Sequence, residues 1–412
     1  MIVIDKNATT WTHVPAESDF PIQNLPYGIF SVSGGSKRVG VAIGDHILDL
    51  SLAFEAGLIP GPSVYSREYL NDLMAQGRTF WSHLRTAVLE LLSVGHARPE
   101  LLVPINQAKL HLPVYSRAFV DFYSSEQHAS NVGRMFRDPV NPLLPNWKNL
   151  PVAYNGRASS IVTSGVPVRR PKGQTKKADK PLPDFGPTQE LDFELEMGFF
   201  LGVDTEMGIP IPVTSVTDSV FGMVLVNDWS ARDVQRWEYA PLGPFLAKSF
   251  ATSISPWVVP MDALEPFRIP CPTQDPPVLP YLVDQQGWHF DMSLEVGIKG
   301  ESMKEFVTVC RSNYRNMYWS LAQQLAHLTV NGANVNVGDL CASGTISGDT
   351  QDSFGSMLEL AWKGEKPVQL GDSGESRVFI KDGDTVRFSG HCQGQGYRVG
   401  FGNLENRVLP AN

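Results

Sequence analysis

The sequence predicts a mainly β (α+β) protein built from a small N-terminal domain and a larger domain that follows it. Residues 28–50 form a predicted β-meander, with three short apolar runs separated by a Ser-Gly-Gly-Ser turn and a Gly-Asp turn. Beyond residue 116 most apolar runs are again short and are bounded by Gly and Pro. A chain of 412 residues is also longer than one typical domain. We therefore expect domains at residues 1–116 and 117–412.

Helical spacing of apolar residues interrupts the predicted strands at a few places. In the N-terminal domain, segments 66–76 and 78–93 have this spacing and predict two helices. In the larger domain, one helix is expected to begin near Asp228 and another to run from about Asn313 to His327. The segment 167–187 is basic and rich in proline, which predicts a solvated connection or a loop over the mouth of a pocket.

Composition argues against several classes of protein. A net charge of −9 and a pI near 5.5 argue against nucleic-acid binding, so a small-molecule partner is expected. The cysteines are far apart and form no CxxC pair, which argues against both a disulfide framework and a zinc site. No apolar run approaches the roughly 18 residues of a membrane span, and the first residues resemble no signal or transit peptide. We expect a soluble, cytoplasmic protein. Its low charged fraction of 19% leaves room for a subunit interface.

Four acidic residues lie in segments that are otherwise apolar. Asp121 lies in AFVDFY, Glu194 and Glu196 lie in LDFELEMGFF, and Asp228 lies in MVLVNDWSARD. An ionised carboxylate is buried only at great cost unless a cation compensates it. In a strand, Asp192 would share one face with Glu194 and Glu196, whereas solvated strand faces usually mix charges of both signs. The pattern predicts a divalent metal held by oxygen ligands alone, which suits Mg²⁺, Ca²⁺ or Mn²⁺.

A polar stripe follows the last of these acids. If a helix begins at Asp228, then Asp228, Arg232, Gln235 and Tyr239 fall at i, i+4, i+7 and i+11 and lie on one side. Such a stripe is often a solvent-facing surface, but it could also hold a metal at one end and an anionic substrate along its length. Lys248, in the apolar run PFLAKSFATS, is a further cation that is expected to face negative charge.

One histidine is placed to act near the predicted metal. His128 follows Ser124 and Ser125, either of which could cap a helix that carries it. A lone histidine is usually structural, yet imidazole is also the usual general base at neutral pH and needs an orienting partner. Glu359, in the predicted strand SMLELAW, is a candidate for that partner. Thr345 lies in a Gly-flanked turn, which could present hydroxyl and backbone N–H groups to a ligand.

Taken in order, ten segments of the chain resemble the fumarylacetoacetate hydrolase family. They are SDFPIQNLPYG (18–28), DFYSSEQHASNVGRMFR (121–137), YNGRASS (154–160), RRPKGQ (169–174), LDFELEMGFF (191–200), VNDWSARDVQRWEY (226–239), GPFLAKSF (243–250), ASGTISG (342–348), GSMLELAWKG (355–364) and GHCQGQGYRVGFG (390–402). The resemblance implies an SH3-like N-terminal barrel, a catalytic domain of mixed β-sandwich or β-roll type, and a homodimer. Shorter members of the superfamily, such as acylpyruvases, decarboxylases and hydratases, lack the N-terminal domain, so the length favours the full hydrolase.

The resemblance also implies a role for each candidate residue. The implied metal ligands are Asp121, Glu194, Glu196 and Asp228, with Lys248 and Thr252 lining the metal environment. His128 is the implied general base, Glu359 orients it, and Arg232 and Lys248 stabilise negative charge. The implied substrate contacts are Tyr123, Arg137, Tyr154, Gln235, Tyr239 and Thr345.

The implied reaction is hydrolysis of a carbon–carbon bond in 4-fumarylacetoacetate, which gives fumarate and acetoacetate in the last step of tyrosine and phenylalanine catabolism. The expected cofactor is Mg²⁺, Ca²⁺ or both. Two alternatives stay open. One is an acylpyruvate or other β-diketone hydrolase of the same superfamily, and the other is a Ca²⁺-stabilised scaffold without catalysis.

Overall fold

The computed structural model describes all 412 residues, and the protein is mainly β, as the sequence predicts. The first part of the chain contains β1 (Tyr27–Val32), β2 (Arg38–Ile43), β3 (His46–Asp49), α1 (Leu50–Glu55), α2 (Asn71–Met74), α3 (Gly77–Leu92), β4 (Leu102–Pro104) and β5 (Ala108–His111). The middle contains β6 (Phe119–Phe122), α4 (Glu126–Phe136), β7 (Ala153–Gly156), β8 (Ile161–Thr163), β9 (Val168–Arg169), β10 (Lys172–Thr175), β11 (Asp184–Pro187), β12 (Leu191–Asp192), β13 (Leu195–Leu201), α5 (Val216–Ser219), β14 (Val220–Asp228), β15 (Ser230–Ala231) and α6 (Arg232–Glu238).

The last part contains β16 (Thr252–Ile254), β17 (Val259–Pro260), α7 (Met261–Leu264), β18 (Arg268–Ile269), β19 (His289–Phe290), β20 (Ser293–Lys299), β21 (Val307–Asn313), α8 (Leu321–Thr329), β22 (Leu340–Ala342), α9 (Met357–Leu360), β23 (Val368–Gln369), β24 (Ser376–Arg377), β25 (Thr385–Gln393) and β26 (Arg398–Leu409). None of the helices combines the length and the hydropathy needed to cross a membrane.

The N-terminal part is a five-stranded antiparallel sheet in the order β4-β3-β2-β1-β5. The predicted meander is confirmed as β1 to β3. Gly44 makes the tight turn between β2 and β3 at a positive φ of 55°, where a Cβ would meet the carbonyl oxygen of His13 at 2.5 Å. The helix predicted over 78–93 is confirmed as α3, whereas the one predicted over 66–76 is reduced to the single turn α2. The predicted domain boundary at residue 116 lies between β5 and β6.

A central sheet in the order β7-β6-β22-β13-β14-β16-β8, with β17 beside β14, separates two hydrophobic cores. Because side chains alternate across a strand, Leu195, Met197 and Phe199 of β13 enter the larger core. Phe200 of β13 and Val224 of β14 instead complete the core of the N-terminal part. A third sheet in the order β21-β20-β25-β26-β9 closes the larger core on its far side. The central sheet is therefore shared by both cores.

The basic segment 167–187 is more ordered than the sequence predicts. Strands β10 and β11 pair as an antiparallel hairpin, and this hairpin packs against α6. A Cβ on Gly173 of β10 would lie 2.8 Å from the side chain of Val234, so the two elements are in close contact. Most of the segment is exposed, as predicted for a solvated connection, but the sequence did not predict that β10 and β11 would pair within it.

Three predictions of local structure were also wrong. Asp228 ends strand β14 and pairs with Thr252 of β16, so the helix begins only at Arg232. The helix expected from Asn313 begins at Leu321, after a capping box at Ser320. Asn313 instead ends strand β21, which pairs with β20, and a single 3-10 turn over Tyr314–Asn316 follows it. Glu359 lies on the one-turn helix α9 instead of a strand. A short apolar run of four residues fits either structure, so its periodicity could not decide between them.

A buried ion pair ties the N-terminal part to the larger one. Nη1 and Nη2 of Arg78, on α3, donate to the carboxylate of Asp262 on α7 at 2.6 Å. The backbone N–H of Ile2 donates to the same carboxylate. Burial would raise the pKa of Asp262, but Arg78 outweighs that effect and lowers it below the ordinary value.

We predict that Asp262→Asn lowers the free energy of unfolding at pH 7 by about 3 kcal/mol, because Arg78 is left without its counter-ion. A lowered pKa means that the pair stabilises the fold above the unfolded-state pKa of about 4 and loses this effect as the pH falls through the lower folded-state value. The difference between wild type and variant should therefore shrink below pH 4. Urea unfolding at several pH values measures it.

The matched control is Asp72→Asn, which removes a pair of similar length from the surface. Arg67 donates to Asp72 at 2.7 Å, but both side chains are half exposed, so the expected loss is below about 1 kcal/mol. Equal losses in the two variants would contradict the special role of the buried pair.

Candidate active site

Three of the predicted metal ligands project from one face of the central sheet. Asp121 lies on β6, Glu196 on β13 and Asp228 on β14. By strand alternation, Glu196 shares its face with Phe200, and Asp228 shares its face with Val224. The carboxylates therefore lie on the same face of the central sheet as the residues that pack into the N-terminal core, next to the edge of that core.

The strand register places two further predicted residues beside these carboxylates. Tyr154 of β7 is the partner of Asp121, and Thr252 of β16 is the partner of Asp228. The Tyr154 hydroxyl donates to Asp228 Oδ2 at 2.6 Å, and the Thr252 hydroxyl donates to Asp228 Oδ1 at 3.1 Å. Glu196 accepts from the backbone N–H of Gly344 at 3.2 Å. Asp228 is thus the best-anchored carboxylate of the set.

Glu194 joins these three, and oxygen atoms of all four carboxylates lie within 4.8 Å of one another. All four residues are buried. Asp121 Oδ1 and Glu196 Oε1 have no hydrogen-bond partner. Burial raises the pKa of Asp121 and of Glu196 well above the ordinary values, and the neighbouring carboxylates raise them further.

Two buried cations neutralise the other half of the cluster. Lys248 Nζ donates to Asp228 Oδ2 at 2.7 Å and also to Glu194. Arg232 Nη2 lies 2.7 Å from Glu194 Oε1. Burial alone would raise the pKa of Glu194, but Lys248 and Arg232 lower it to about 2. Burial would likewise lower the pKa of Lys248, but Asp228 and Glu194 outweigh it and raise that pKa.

The residues present fit a hard divalent cation. Asp121 and Glu196 are the two carboxylates of the cluster that no basic side chain neutralises, and both carry orphaned oxygens. Their combined charge matches one divalent ion, and a donor set made only of carboxylate oxygens suits Mg²⁺ or Ca²⁺. The cluster could therefore hold such a metal ion.

His128 and Glu359 form a buried hydrogen-bonded pair. The Ser125 hydroxyl caps α4 by accepting from the His128 N–H. Of the two candidate caps, Ser124 and Ser125, it is therefore Ser125 that caps the helix. His128 Nδ1 lies 2.7 Å from Glu359 Oε2. Because a carboxylate only accepts, Nδ1 carries the proton and Nε2 is left free to accept another. The sequence thus identified both partners of this pair.

Glu359 is held by three further donors that the sequence did not reveal. Asn131 donates to Oε1 at 2.9 Å, Ser347 donates to Oε1 at 2.9 Å, and Ser356 donates to Oε2 at 2.8 Å. Burial would raise the pKa of Glu359, but His128 and these donors lower it below the ordinary value. Two of these donors had a local signal in the sequence. Asn131 follows His128 by three residues on the same helix, and Ser356 precedes Glu359 by three residues, which is the spacing of a helix cap.

The remaining predicted residues differ in how close they lie to these groups. The ring of Tyr123 packs edge-on against His128, with centroids 5.2 Å apart. Burial raises the pKa of Tyr123, and the charge of Arg137 partly opposes that effect. Arg137 ends α4, and its Nη2 donates to the Pro142 carbonyl at 3.1 Å. Thr345 is buried directly after Gly344, next to Glu196.

The predicted stripe along α6 is only partly present. Arg232 Nη1 donates to Gln235 Oε1 at 3.2 Å, which brings Gln235 to the edge of the cluster. Tyr239 ends the helix and is 56% exposed, so the structure does not bring it to the carboxylates. Asp228 lies in the preceding strand and is not part of the helical stripe.

A cavity of about 380 Å³ opens beside the cluster of four carboxylates. Its walls include Tyr154, Lys248 and Phe245. Two larger cavities, one beside Cys271 and one beside Trp257, contain none of the predicted site residues. The smaller cavity is therefore the one of the three that lies next to the predicted site residues.

Two family descriptions match the chain in succession. "Fumarylacetoacetase N-terminal" matches residues 23–113, and "Fumarylacetoacetate (FAA) hydrolase C-terminal" matches residues 117–409. The chain belongs to the fumarylacetoacetate hydrolase family. It is 53% identical to the fumarylacetoacetase of Homo sapiens, over 97% of this chain and 98% of that protein. It is 50% identical to the fumarylacetoacetase of Dictyostelium discoideum, over 98% of each chain.

Solved structures of the family share the fold. A fumarylacetoacetate hydrolase from Exiguobacterium antarcticum superposes with a TM-score of 0.54 at 17% identity, over 94% of this chain and 99% of that one. A maleylpyruvate hydrolase from Sphingobium superposes with a TM-score of 0.51 at 16% identity, over 94% of this chain and all of that one. At such identities the likeness concerns the fold alone.

We predict that Glu196→Gln weakens Mg²⁺ binding by more than about 10-fold, since losing even an outer partner of a metal ligand costs about 10- to 100-fold. Without Mg²⁺ the variant should be at least as stable as the wild type, because it removes a buried carboxylate that has no counter-ion. Isothermal titration and thermal unfolding measure the two effects.

The matched control is Glu190→Gln, in the same segment of the chain. Glu190 pairs with Arg236 outside the cluster, so its loss should leave Mg²⁺ affinity unchanged. Wild-type Mg²⁺ affinity in Glu196→Gln would contradict the assignment of this carboxylate as a ligand.

Proposed function

We propose that the chain hydrolyses 4-fumarylacetoacetate to fumarate and acetoacetate, the last step of tyrosine and phenylalanine catabolism. The observation that carries the proposal is the pairing of a buried His128–Glu359 dyad with an adjacent cluster of four carboxylates. Curated fumarylacetoacetases that match nearly the whole chain at about half identity support the same reaction.

In this proposal His128 is the general base. Its Nε2 takes a proton from water, which then attacks the carbonyl carbon next to the bond that breaks. Glu359 holds the imidazole through Nδ1 and stabilises the imidazolium that forms. Cleavage leaves the bonding pair on acetoacetate as an enolate, and a proton completes that product.

We propose Asp121, Glu194, Glu196 and Asp228 as the ligands of a bound Mg²⁺ or Ca²⁺, with Lys248 and Thr252 fixing the orientation of Asp228. A metal ion bound there supplies Lewis-acid chemistry to the oxygens of the dicarbonyl unit.

We propose that Arg232, Gln235 and Lys248 face the negative charge that grows on the leaving group. Each is held in place by a hydrogen bond within the site. The substrate carries carboxylates at both ends, and we assign their binding to the substrate contacts that the sequence implies, of which Tyr239 lies apart, exposed at the end of α6. These contacts are Tyr123, Arg137, Tyr154, Tyr239 and Thr345.

The alternative functions are less well supported. A Ca²⁺-stabilised scaffold would not need a histidine whose Nδ1 is fixed by a fourfold-bonded carboxylate. An acylpyruvate hydrolase would use the same groups, so turnover of fumarylacetoacetate and of acylpyruvates must be compared. The deciding assay incubates the chain with fumarylacetoacetate and Mg²⁺ and measures fumarate, and its absence would overturn the proposal.

We also propose a homodimer, in keeping with the family resemblance. Apolar side chains are exposed on α6, on the loop that follows it and on the β10–β11 hairpin, namely Leu182, Phe185, Trp237, Leu242, Phe245 and Leu246. A second copy of the chain covering this surface would remove them from water. The SH3-like class of the N-terminal sheet and a cytoplasmic location are also proposals, the latter supported by four unpaired cysteines.

We predict that His128→Ala lowers kcat by about 100- to 10,000-fold, the usual contribution of a general base, while Mg²⁺ affinity is unchanged. Steady-state kinetics and isothermal titration measure the two quantities. The control is His327→Ala, since His327 contacts only the Tyr281 hydroxyl among the polar side chains and has no proposed role. Near-normal turnover by His128→Ala would disprove the base assignment.

We predict that Leu242→Asp shifts the chain from dimer to monomer in sedimentation velocity, because Leu242 is 96% exposed and belongs to the proposed interface. Met207→Asp is the control, since Met207 is 83% exposed on another loop. A wild-type chain that sediments as a monomer would contradict the proposed dimer.

A further inference from the structure

Asp192 is a buried carboxylate that belongs neither to the four-carboxylate cluster nor to the His128–Glu359 pair. It is fully buried, and it is not one of the four clustered acids. Its Oδ1 accepts from the backbone N–H of Met357 at 2.7 Å, and its Oδ2 accepts from the backbone N–H of Leu358 at 3.1 Å. Its Oδ2 also accepts from Arg232 Nε at 2.8 Å. One side chain therefore bonds two separate parts of the protein.

The first of these parts is helix α9, which contains Glu359, the partner of the proposed general base His128. Met357 and Leu358 are the first two residues of α9, and Glu359 is the third. Their N–H groups lie at the start of the helix and have no partner within it. By accepting both, Asp192 fixes where α9 begins, and with it the carboxylate that holds His128 Nδ1.

The second part is the charged edge of the metal cluster. Arg232 donates from Nε to Asp192, and its Nη2 lies 2.7 Å from Glu194 Oε1, so the guanidinium forms ion pairs with both carboxylates. The residue after Glu194 continues the contact with the segment before α9, because the Leu195 N–H donates to the Gly355 carbonyl at 2.9 Å. Asp192 is thus the one side chain bonded directly to both Arg232 and α9.

We propose that Asp192 is a positioning residue, which sets the distance between the His128–Glu359 pair and the Arg232–Glu194 edge of the metal cluster. The proposal rests on the proposed function, since it assigns Asp192 to the alignment of the attacking and stabilising groups. Catalysis depends steeply on such alignment, because a displacement of about 1 Å can cost about 100-fold in rate.

Asp192→Asn tests this arrangement with little change in volume. All three partners of Asp192 are donors, so the amide nitrogen of asparagine would face a donor wherever it points. Either α9 or Arg232 must then move. We expect kcat to fall by at least about 10-fold while KM and the Kd for Mg²⁺ stay near wild type, because the groups that bind substrate and metal remain present.

A spectroscopic measurement without substrate separates this proposal from the proposed function. An imidazole N–H bonded to a buried carboxylate gives a proton resonance far downfield in the ¹H NMR spectrum. The His128 signal is assigned by its loss in His128→Ala. We expect Asp192→Asn to shift or broaden it, whether or not fumarylacetoacetate is the substrate.

The matched control is Asp384→Asn. Asp384 is equally buried and accepts from Arg377 at 2.7 and 2.8 Å and from the Lys381 N–H at 2.9 Å, but it contacts no proposed site residue. The Asp384→Asn variant should lose stability as Asp192→Asn does, but its kcat and its downfield resonance should match those of the wild type. If Asp192→Asn does not fold, Asp192→Glu retains the charge, moves the acceptor oxygens by one methylene, and should give the same pattern.

Wild-type kcat with an unchanged resonance in the folded Asp192 variant would overturn the proposal. Equal effects in Asp384→Asn would overturn it as well, because they would show a general response to lost stability. Failure of the proposed function would instead appear as absent fumarate production by the wild type, with the resonance still responding to Asp192.

Discussion

The arrangement of this protein depends on the pairing of buried carboxylates with two buried cations. Lys248 and Arg232 neutralise Asp228 and Glu194, and without them the cluster would hold four unbalanced negative charges inside the protein. Asp121 and Glu196 remain without a cation. A divalent ion at the proposed metal site would balance this remaining negative charge.

The sheet supplies the geometry that this electrostatic arrangement needs. Asp121, Glu196 and Asp228 lie on separate strands, and pairing fixes their spacing with little freedom left to their backbones. His128 lies on a helix outside the sheet, and Glu359 on a single helical turn, so hydrogen bonds must hold them. The positions of these three carboxylates thus depend on strand register. The position of the His128–Glu359 pair depends on the groups that donate hydrogen bonds to Glu359.

Part of the fold and of the site could be predicted from the sequence because their signals are local. Acids in apolar runs identified the carboxylate cluster, and a serine three residues before His128 identified its helix cap. The four-residue turn that carries Glu359 was mistaken for a strand, because so short a run has no distinguishable period. The bond between Asp192 and Met357 joins residues 165 positions apart, so no local pattern could indicate it.

The sheet that both cores share also constrains how the chain can be made. The N-terminal core is completed by Phe200, Val224 and Val226, which are synthesised about a hundred residues after that part of the chain has emerged. At synthesis rates of 5–20 residues per second, the N-terminal core stays incomplete for roughly 5 to 20 seconds. A nascent chain of this kind is a natural client for chaperones, and a translation product that stops after residue 116 should aggregate and not persist as an independent domain.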